Sequence, residues 1–299
     1  MTMAFRNVMI ESPARISVKN SQLLIFTDSE YSLAVEDISA LLLENRQSTI
    51  TTAALSLLGQ RGCALFVCDE RHMPCAVMAP FSQHSRALSA AQLQLSASEP
   101  LKKRLWQSIV KSKIKNQAKC LGICEKDEKT LADMVGRVRS GDADNVEATA
   151  AQTFFPTLFG AGFTRREDGG INAALNYGYA ILRGCMARTL AVYGFLPAFG
   201  IHHHSELNAF NLADDFMEPF RPLVDLLVYQ RGADEDGLTP ERKRQIFNCL
   251  NLDILSGGEH HSVSYAMERL VRSYARSLQE KEALLCLPEL IELRQHRYE

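Results

Sequence analysis

The sequence contains no uninterrupted run of eighteen apolar residues, roughly the length that a membrane-spanning helix requires. Its N-terminal segment, MTMAFRNVMIESP, acquires a charge early and has no apolar stretch of the kind that a secretory signal carries. We therefore expect a cytoplasmic protein with no membrane segment. Of the 299 residues, 46% are hydrophobic, which is enough for one large domain or two modest ones with real cores. This composition excludes a disordered or fibrous chain.

The sequence also lacks any CxxC pair, although it contains eight cysteines. A chain of this length without a secretory signal is not expected to build a disulfide framework. Cys63, Cys68 and Cys75 lie among apolar residues, and Cys120 and Cys124 share a face if their segment is helical. We therefore expect reduced, buried thiols that behave as small hydrophobic groups. A structural zinc site is the alternative.

No excess of one charge marks the whole chain, whose formal net charge is -2, and this balance by itself argues against a nucleic-acid binder. The local distribution differs, because residues 102–119, KKRLWQSIVKSKIKNQAK, carry seven basic residues and no acidic one. If this segment is helical, Trp106 and its apolar neighbours lie on the buried side and the lysines, Lys113 included, on a solvated face. Lys111 and Lys115 could there follow a phosphate backbone. A solvated charged face without a ligand is the alternative.

The two parts of the sequence differ in hydrophobic period. Before residue 80, the alternating residues 15–19 and the apolar CALFVC segment predict strands. One helix, capped by Thr51 or Thr52, interrupts them. After Pro80 the sequence is rich in Ser, Ala and Gln without strand periodicity, and helical spacing then dominates, as in residues 263–278. We predict an α+β fold with a domain boundary near residue 80.

Glu147 lies in the segment DADNVEATAAQTFFPTLFG. If a helix begins at Asp144, Glu147 is three residues into it and could be the carboxylate of a capping box. The same helix would place Glu147 on one face with Ala151 and Phe154, which should point into the core. A carboxylate at the edge of a core needs a partner, and a divalent cation is one. The segment alone leaves both interpretations open.

Three adjacent histidines and several carboxylates occupy residues 200–222, GIHHHSELNAFNLADDFMEPFRP. On one straight helix His203 and Glu218 would be about 22 Å apart, too far to share an ion. The chain must turn back between them if they cooperate. Asn208 and Asn211 lie in the intervening segment and tolerate turns, so a break there is reasonable.

One imidazole and two carboxylates would fill part of the six-coordinate shell of Mg²⁺ or Mn²⁺ and leave positions for water and phosphate oxygens. Such an ion promotes phosphoryl transfer. Asp215 and Glu218 are three residues apart, so a helix would present them on adjacent faces. Adjacent histidines cannot all point one way, and we expect His202 and His204 to lie outside the ligand set. Zinc would fit better if all three histidines were ligands.

Five segments together resemble a known family. They are EDISALLLENRQSTITTAALSLLGQRGCALFVCDERHMP (36–74), WQSIVKSKIKNQA (106–118), VEATAAQTFFPTLFG (146–160), INAALNYGYAILRG (171–184) and the histidine segment (200–222). In this order, and over nearly the whole chain, they are similar to the CRISPR-associated integrase that inserts new spacers. The similarity is greatest to the type II form of that family, for which the EPFRP ending and the LNYGY run are specific.

The resemblance implies an α+β architecture in two domains. Residues 1–80 would form a small N-terminal β-domain used for dimerisation, and residues 81–98 a linker. Residues 99–299 would form a larger all-α C-terminal domain that carries the active site. The protein would assemble as a homodimer.

The resemblance also implies a metal triad of Glu147, His203 and Glu218 that holds Mg²⁺ or Mn²⁺. Many members of the family have an aspartate where this sequence has Glu218, and the longer side chain serves the same role in the type II branch. Asp215 is implied as a supporting or alternative ligand. Three residues are expected to brace the site or contact DNA, with helix packing as the alternative: Asn176, Tyr177 and Arg183. Two more are expected to contact DNA phosphates: Arg165 and Arg166.

The family resemblance further implies the reaction and the partners. The 3′-hydroxyl of a captured DNA fragment attacks a phosphodiester at the border of a CRISPR repeat, once on each strand. Two dimers of the protein flank a dimer of the smaller adaptation partner in a heterohexamer, and the type II effector nuclease helps to select fragments.

Three alternatives stay open at this stage. The same triad could act with water as nucleophile in a stand-alone, structure-selective DNA endonuclease. The protein could instead be a non-enzymatic DNA-binding scaffold whose histidines bind metal adventitiously. In the third, Glu147 is only a capping carboxylate and the histidines form a surface cluster.

Overall fold

Strands dominate the N-terminal part of the computed structural model, which describes residues 6–80, 85–231 and 238–297. They are β1 (Arg6–Ile10), β2 (Arg15–Lys19), β3 (Gln22–Phe26), β4 (Glu30–Ala34), β5 (Ile38–Leu43), β6 (Thr49–Ile50), β7 (Ala64–Cys68) and β8 (Pro74–Met78). Within residues 6–80 they form two four-stranded sheets, in the orders β1-β5-β7-β8 and β4-β3-β2-β6. β1, β5 and β7 run parallel, and β8 pairs antiparallel with β7. The prediction of N-terminal strands is confirmed.

The predicted helix between these strands is α1 (Thr52–Gln60). Thr51 caps it, because the Thr51 Oγ1 accepts a hydrogen bond from the N–H of Ala54 at 3.3 Å. At the other end, Gly62 has a φ of +72°, a conformation that favours glycine, and turns the chain into β7.

Helices dominate the rest of the described chain. They are α2 (Ala87–Leu95), α3 (Glu99–Ile123), α4 (Lys129–Val135), α5 (Val146–Phe159), α6 (Gly170–Val192), α7 (Asn211–Met217), α8 (Arg221–Arg231), α9 (Pro240–Phe247) and α10 (Val263–Glu280). A single 3₁₀ turn, Glu218–Phe220, joins α7 to α8. As predicted, α3 buries Leu105, Trp106 and Ile109. No helix within the described residues combines the length and apolar character that crossing a lipid bilayer requires.

The C-terminal part is not all-α, which corrects the prediction. It contains β9 (Asp253–Ser256), β10 (Glu259–Ser262) and β11 (Pro288–Glu289), paired in the order β10-β9-β11. Gly257 and Gly258 both have positive φ and form the two-residue turn between β9 and β10, a strong hairpin signal. β11 depends on a pairing across more than thirty residues, which no local pattern indicates.

The N-terminal sheet packs directly against the helices. The Phe66 ring lies so close to Gly184 of α6 that an added Cβ there would be 2.1 Å from it. A buried ion pair also joins Glu44 to Lys243 of α9, with 2.8 Å between Oε1 and Nζ. Residues 81–98, expected to be a linker, include α2, while residues 81–84 lie outside the described residues. The proposed domain boundaries stay a prediction.

The cysteines are free thiols of differing exposure. Cys63, Cys68 and Cys120 are buried as expected, whereas Cys75 lies exposed on β8. Burial raises the pKa of the Cys63 thiol to about 12, so it stays protonated.

Candidate active site

Backbone N–H groups fix the histidine turn to α7. Asp215, which is fully buried on α7, accepts hydrogen bonds from the N–H of Ile201 at 2.7 Å, of His202 at 3.0 Å and of His203 at 3.2 Å. Gly200 precedes this turn, and a Cβ there would lie 2.3 Å from the His203 carbonyl oxygen. The glycine and the buried carboxylate together set the path of the turn.

Asp215 also orients the imidazole of His203. The His203 Nδ1 lies 2.7 Å from the Asp215 Oδ1, so this hydrogen bond assigns the proton to Nδ1 and leaves Nε2 as the nitrogen able to bind a metal. The hydrogen bond to Asp215 raises the pKa of His203, and the charges of Glu218 and Glu147 add to this effect. All three predicted triad residues therefore lie within electrostatic reach of one another.

The chain reverses between His203 and Glu218, as the helix-length argument predicted. The loop ends at Asn211, the first residue of α7, whose amide donates to the carbonyl oxygens of Ala198 and Ser205 at 3.0 and 2.9 Å. Its side chain thereby fixes both sides of the histidine turn.

Glu218 is buried with two cations. Its side chain is 4% exposed, and its Oε1 lies 3.1 Å from the Arg221 Nε while its Oε2 lies 2.5 Å from the Lys113 Nζ. The Oε2 contact is an ion pair without hydrogen-bond alignment. Burial would raise the pKa of Glu218, but the charges of Arg221 and Lys113 outweigh it and lower the pKa. The buried carboxylate is therefore ionised at neutral pH.

Glu147 also faces Lys113. Helix α5 begins at Val146, not at Asp144, and its first N–H groups are capped by Asp142: Oδ1 accepts from Val146 at 2.9 Å and Oδ2 from Glu147 at 3.0 Å. The Glu147 Oε1 instead lies 2.6 Å from the Lys113 Nζ. The capping-box interpretation of Glu147 is thus wrong, and its carboxylate is available to a cation.

Lys113 is not on the solvated face of α3, where the sequence interpretation placed it. Its side chain is 10% exposed and its ammonium bridges Glu147 and Glu218. Burial would lower the pKa of Lys113, but the two carboxylates outweigh it and raise the pKa. Its burial could have been predicted from its spacing, since Lys113 lies four residues after the buried Ile109 and shares the same face of α3.

Asn116, one turn further along α3, is a second residue that the sequence interpretation missed. Its buried amide donates to the carbonyl oxygens of Pro219 at 2.8 Å and Pro288 at 3.1 Å, and its Oδ1 accepts from the N–H of Leu290 at 3.0 Å. Asn116 therefore fixes the turn that carries Glu218 and joins it to the C-terminal sheet.

The two neighbouring histidines have different surroundings. The His202 ring stacks on Trp106 with 4.1 Å between ring centroids and 2° between planes, and burial lowers its pKa. The His204 side chain is exposed. The His203 ring lies nearly perpendicular to Trp106, at 5.7 Å.

The residues expected to support the site are distributed around it. Arg183 donates to both carboxylate oxygens of Asp214 at 2.6 and 2.9 Å. Asn176 accepts a hydrogen bond from Arg165 at 2.7 Å. Tyr177 is fully buried near Cys68 of the N-terminal sheet, which matches the packing alternative for this residue.

The residues expected to contact DNA differ in accessibility. Lys115 and Arg166 are exposed, and Lys111 is half-buried on α3. Arg165 is partly enclosed, because its guanidinium donates to Asn172 and lies over aromatic rings of α5 and α6.

The carboxylate pair has the oxygen ligands that a divalent ion requires, but a lysine occupies it. Nowhere in residues 6–80, 85–231 or 238–297 do three His, Cys, Asp or Glu side chains already converge as a metal site. The two carboxylates that would bind an ion are held by the Lys113 ammonium, and one buried Glu218 oxygen has no aligned donor. Two hard oxygen ligands and one imidazole nitrogen suit Mg²⁺ or Mn²⁺ once the ammonium moves.

The fold and this cluster define an α+β protein with a candidate cation site in its helical part. Residues 8–233 match the family model described as CRISPR associated protein Cas1, and the chain belongs to this family. It is 43% identical to the CRISPR-associated endonuclease Cas1 of Neisseria meningitidis serogroup C (strain 8013), over 99% of this chain and 100% of that protein. The predicted family membership is confirmed.

Solved structures share the fold. A casposase bound to integration product covers 93% of this chain and 91% of its own, with a TM-score of 0.76 and 22% identity. A chain of a Cas6-RT-Cas1–Cas2 complex gives a TM-score of 0.72 at 18% identity, covering 96% of this chain and 36% of its own. These matches support the mixed architecture of N-terminal strands and a helical C-terminal region.

Proposed function

We propose that this protein is a divalent-metal-dependent DNA integrase that inserts new spacers into a CRISPR array, of the type II branch. The observation that carries the proposal is the convergence of Glu147 and Glu218, from α5 and the turn after α7, on one buried cation beside His203. The names of the family and of its endonuclease relative support a nuclease or integrase activity.

Glu147, Glu218 and the Nε2 of His203 would hold Mg²⁺ or Mn²⁺. When bound, the ion supplies a Lewis acid that stabilises charge developing on phosphodiester oxygens. Asp215 has both oxygens engaged by the histidine turn, so we assign it to positioning His203 and not to the ion. Arg221 keeps Glu218 ionised.

The proposed reaction is a transesterification. The 3′-hydroxyl of a DNA fragment gives its proton to solvent and forms a new P–O bond at the repeat border. The P–O bond to the 3′-oxygen of the repeat breaks, and that oxygen takes up a proton from solvent and becomes a new 3′-hydroxyl. One phosphodiester replaces another, so no external energy source is needed. The chain's own part is to hold the reacting groups and place charge beside the phosphorus.

The proposed partners are DNA, a second copy of this chain, the small adaptation protein and the type II effector nuclease. One structural neighbour is, by its name, part of a complex with Cas2. We propose that two dimers of this chain flank a Cas2-like dimer in a heterohexamer.

Strand transfer tests the proposed function. The assay combines the purified protein, the small partner, a duplex with free 3′-OH ends and a supercoiled plasmid carrying the repeat, with Mn²⁺ or EDTA. We expect Mn²⁺-dependent joining by the wild-type protein, and joining by His203→Ala no higher than with EDTA, because the variant loses the imidazole.

His204→Ala is the matched control for this assay, since its side chain is exposed next to the site, and it should join normally. Joining that persists in His203→Ala would contradict the assignment of this histidine. A folded, DNA-binding wild-type protein that never joins would favour the scaffold alternative. Cleavage of branched DNA without joining would favour the stand-alone endonuclease, an activity that the relative's name also suggests.

Lys115→Glu should weaken DNA binding and make it less sensitive to salt. Lys115 is exposed on α3, within the basic segment 102–119 that could follow a phosphate backbone. Loss of one phosphate contact should reduce the slope of log K against log salt by about 1, measured by fluorescence anisotropy between low and moderate salt. Lys19→Glu, an exposed lysine at the end of β2, has the same charge change and should leave the slope unchanged. An unchanged slope in Lys115→Glu would place the DNA on another face.

A further inference from the structure

Lys113 engages the two oxygens that the proposed ion would need. Its Nζ lies 2.6 Å from the Glu147 Oε1 and 2.5 Å from the Glu218 Oε2. Its backbone lies mid-way along the 25-residue helix α3, so the ammonium is tethered to a fixed element. Arg221 balances the second charge from the other side of Glu218.

The ammonium and a divalent ion compete for one place between these oxygens. An ion that binds both oxygens at about 2.0–2.1 Å, as Mg²⁺ does, would lie where the Lys113 Nζ now lies. Together with Arg221, the ion and the ammonium would also put four positive charges against two carboxylates. Ion binding therefore requires the Lys113 ammonium to leave, and this step costs free energy because the ammonium is buried and paired.

A displaced ammonium needs another anion. The carboxylates that raise the pKa of Lys113 are Glu218 and Glu147 themselves. Asp225, whose carboxyl also feels the charge of Lys113, is buried and already accepts a hydrogen bond from Tyr179. The proposed DNA substrate brings phosphate oxygens to this place, because the reacting phosphodiester must lie against the ion that Glu147 and Glu218 would hold.

We propose that Lys113 is a tethered counter-ion that makes ion binding depend on DNA. Without DNA its ammonium occupies the carboxylate pair and weakens the binding of divalent ions. When DNA arrives, the ammonium moves to a phosphate oxygen and frees the carboxylates. Coupling of this kind is reciprocal, so the ion must tighten DNA binding by the same factor. This inference rests on the proposed function, because it takes the carboxylates as the ion's ligands.

The test is a Mn²⁺ titration followed by electron paramagnetic resonance, which measures the free aquo ion, with the full-length protein. The probe is a branched duplex whose 3′ ends are dideoxy-terminated, so that binding is not followed by joining, and Mn²⁺ bound by DNA alone is subtracted. For the wild-type protein we expect the Mn²⁺ Kd to fall at least about tenfold when the duplex is present.

Lys113→Met, which keeps the length of the side chain without its charge, should bind Mn²⁺ at least about tenfold more tightly than the wild-type protein in the absence of DNA. The effect of DNA on its Mn²⁺ Kd should fall below about threefold. Lys19→Met is the matched control and should behave as the wild-type protein does, because Lys19 is exposed at the end of β2 and contacts neither carboxylate. If Lys113→Met does not fold, Lys113→Gln takes its place. The wild-type titration with and without DNA tests the inference without any variant.

Three results would overturn the inference: a wild-type Mn²⁺ Kd that is the same with and without DNA, no tightening in the charge-free variant, or equal coupling in that variant and the wild-type protein. The last result would assign the coupling to the DNA's own charge. If the wild-type protein joins DNA with Mn²⁺ but shows no coupling, only this inference fails. If it neither binds Mn²⁺ nor joins DNA, the proposed function fails with it.

Discussion

The Asp215→Asn variant is expected to bind Mn²⁺ about 10- to 100-fold more weakly than the wild-type protein. Asp215 accepts hydrogen bonds from three consecutive N–H groups and from the His203 ring, using both carboxylate oxygens. An amide keeps one acceptor oxygen and replaces the other with an NH₂ group, which would face a donor. The His203 ring would lose its fixed tautomer and direction, so Mn²⁺ titration with dideoxy-terminated DNA and strand transfer should both show the loss.

Asp214→Asn is the control for that experiment. Asp214 precedes Asp215 on α7, but its carboxylate pairs with Arg183 and with Asn208 instead of the histidine turn. This variant should retain the Mn²⁺ affinity of the wild-type protein. Equal losses in the two variants would mean that α7 as a whole, and not the buried hydrogen bonds of Asp215, determines the affinity. Unchanged affinity in Asp215→Asn would show that His203 holds its direction without it.

The parts of the site that could be predicted were those fixed by chain geometry over short distances. The length of a helix required a reversal between His203 and Glu218 if the two were to share an ion, and the loop before Asn211 provides it. The triad itself came from the family resemblance, and the structure brings its members to one place without testing their roles. Local propensity likewise predicted α1 and its Thr51 cap.

Residues whose surroundings depend on distant segments could not be predicted in this way. Lys113 belongs to a run of lysines, and charge alone assigned it to the solvent. Its four-residue spacing from the buried Ile109 indicated its face of α3, but its partners come from distant segments, Glu147 on α5 and Glu218 beyond α7. The residue that caps α5 is Asp142, whereas the sequence suggested a helix beginning at Asp144. The chain takes a tight turn with positive φ at Asp142 and Asn145 before α5 begins.

Helix α3 holds the site together as well as carrying the basic residues that were predicted for it. Its buried face carries Lys113 to the carboxylates, Asn116 to the turn after Glu218, and Trp106 to the His202 ring. A single rigid helix thus sets the relative positions of α5, the histidine turn and the 3₁₀ turn. The site has a preorganised frame, and the movement that we propose for the Lys113 ammonium takes place within it.

Glu218→Gln is expected to lower the free energy of unfolding by about 3 kcal/mol at neutral pH, because it leaves the buried Lys113 ammonium and the partly buried Arg221 guanidinium without their shared partner. Lys113 would keep only Glu147, and Arg221 would lose its ion pair with Glu218. Glu147→Gln is the matched comparison. Its side chain is 20% exposed and Lys113 retains Glu218, so this variant should lose about 1 kcal/mol or less. Urea denaturation of the metal-free proteins measures both.

The electrostatic origin of the stability lost in Glu218→Gln can be identified from its dependence on pH. The folded-state pKa of Glu218 is lowered by Arg221 and Lys113 in spite of its burial, while an unfolded glutamate titrates near about 4.3. The stabilisation is therefore fully present above that value and is lost as the pH falls through the lower folded-state pKa. The gap between wild-type protein and Glu218→Gln should narrow in acid, whereas a loss caused by altered packing would persist at every pH. Equal, pH-independent losses in both variants would show that the carboxylates act on stability through their shape, and that the charge of Lys113 is balanced elsewhere.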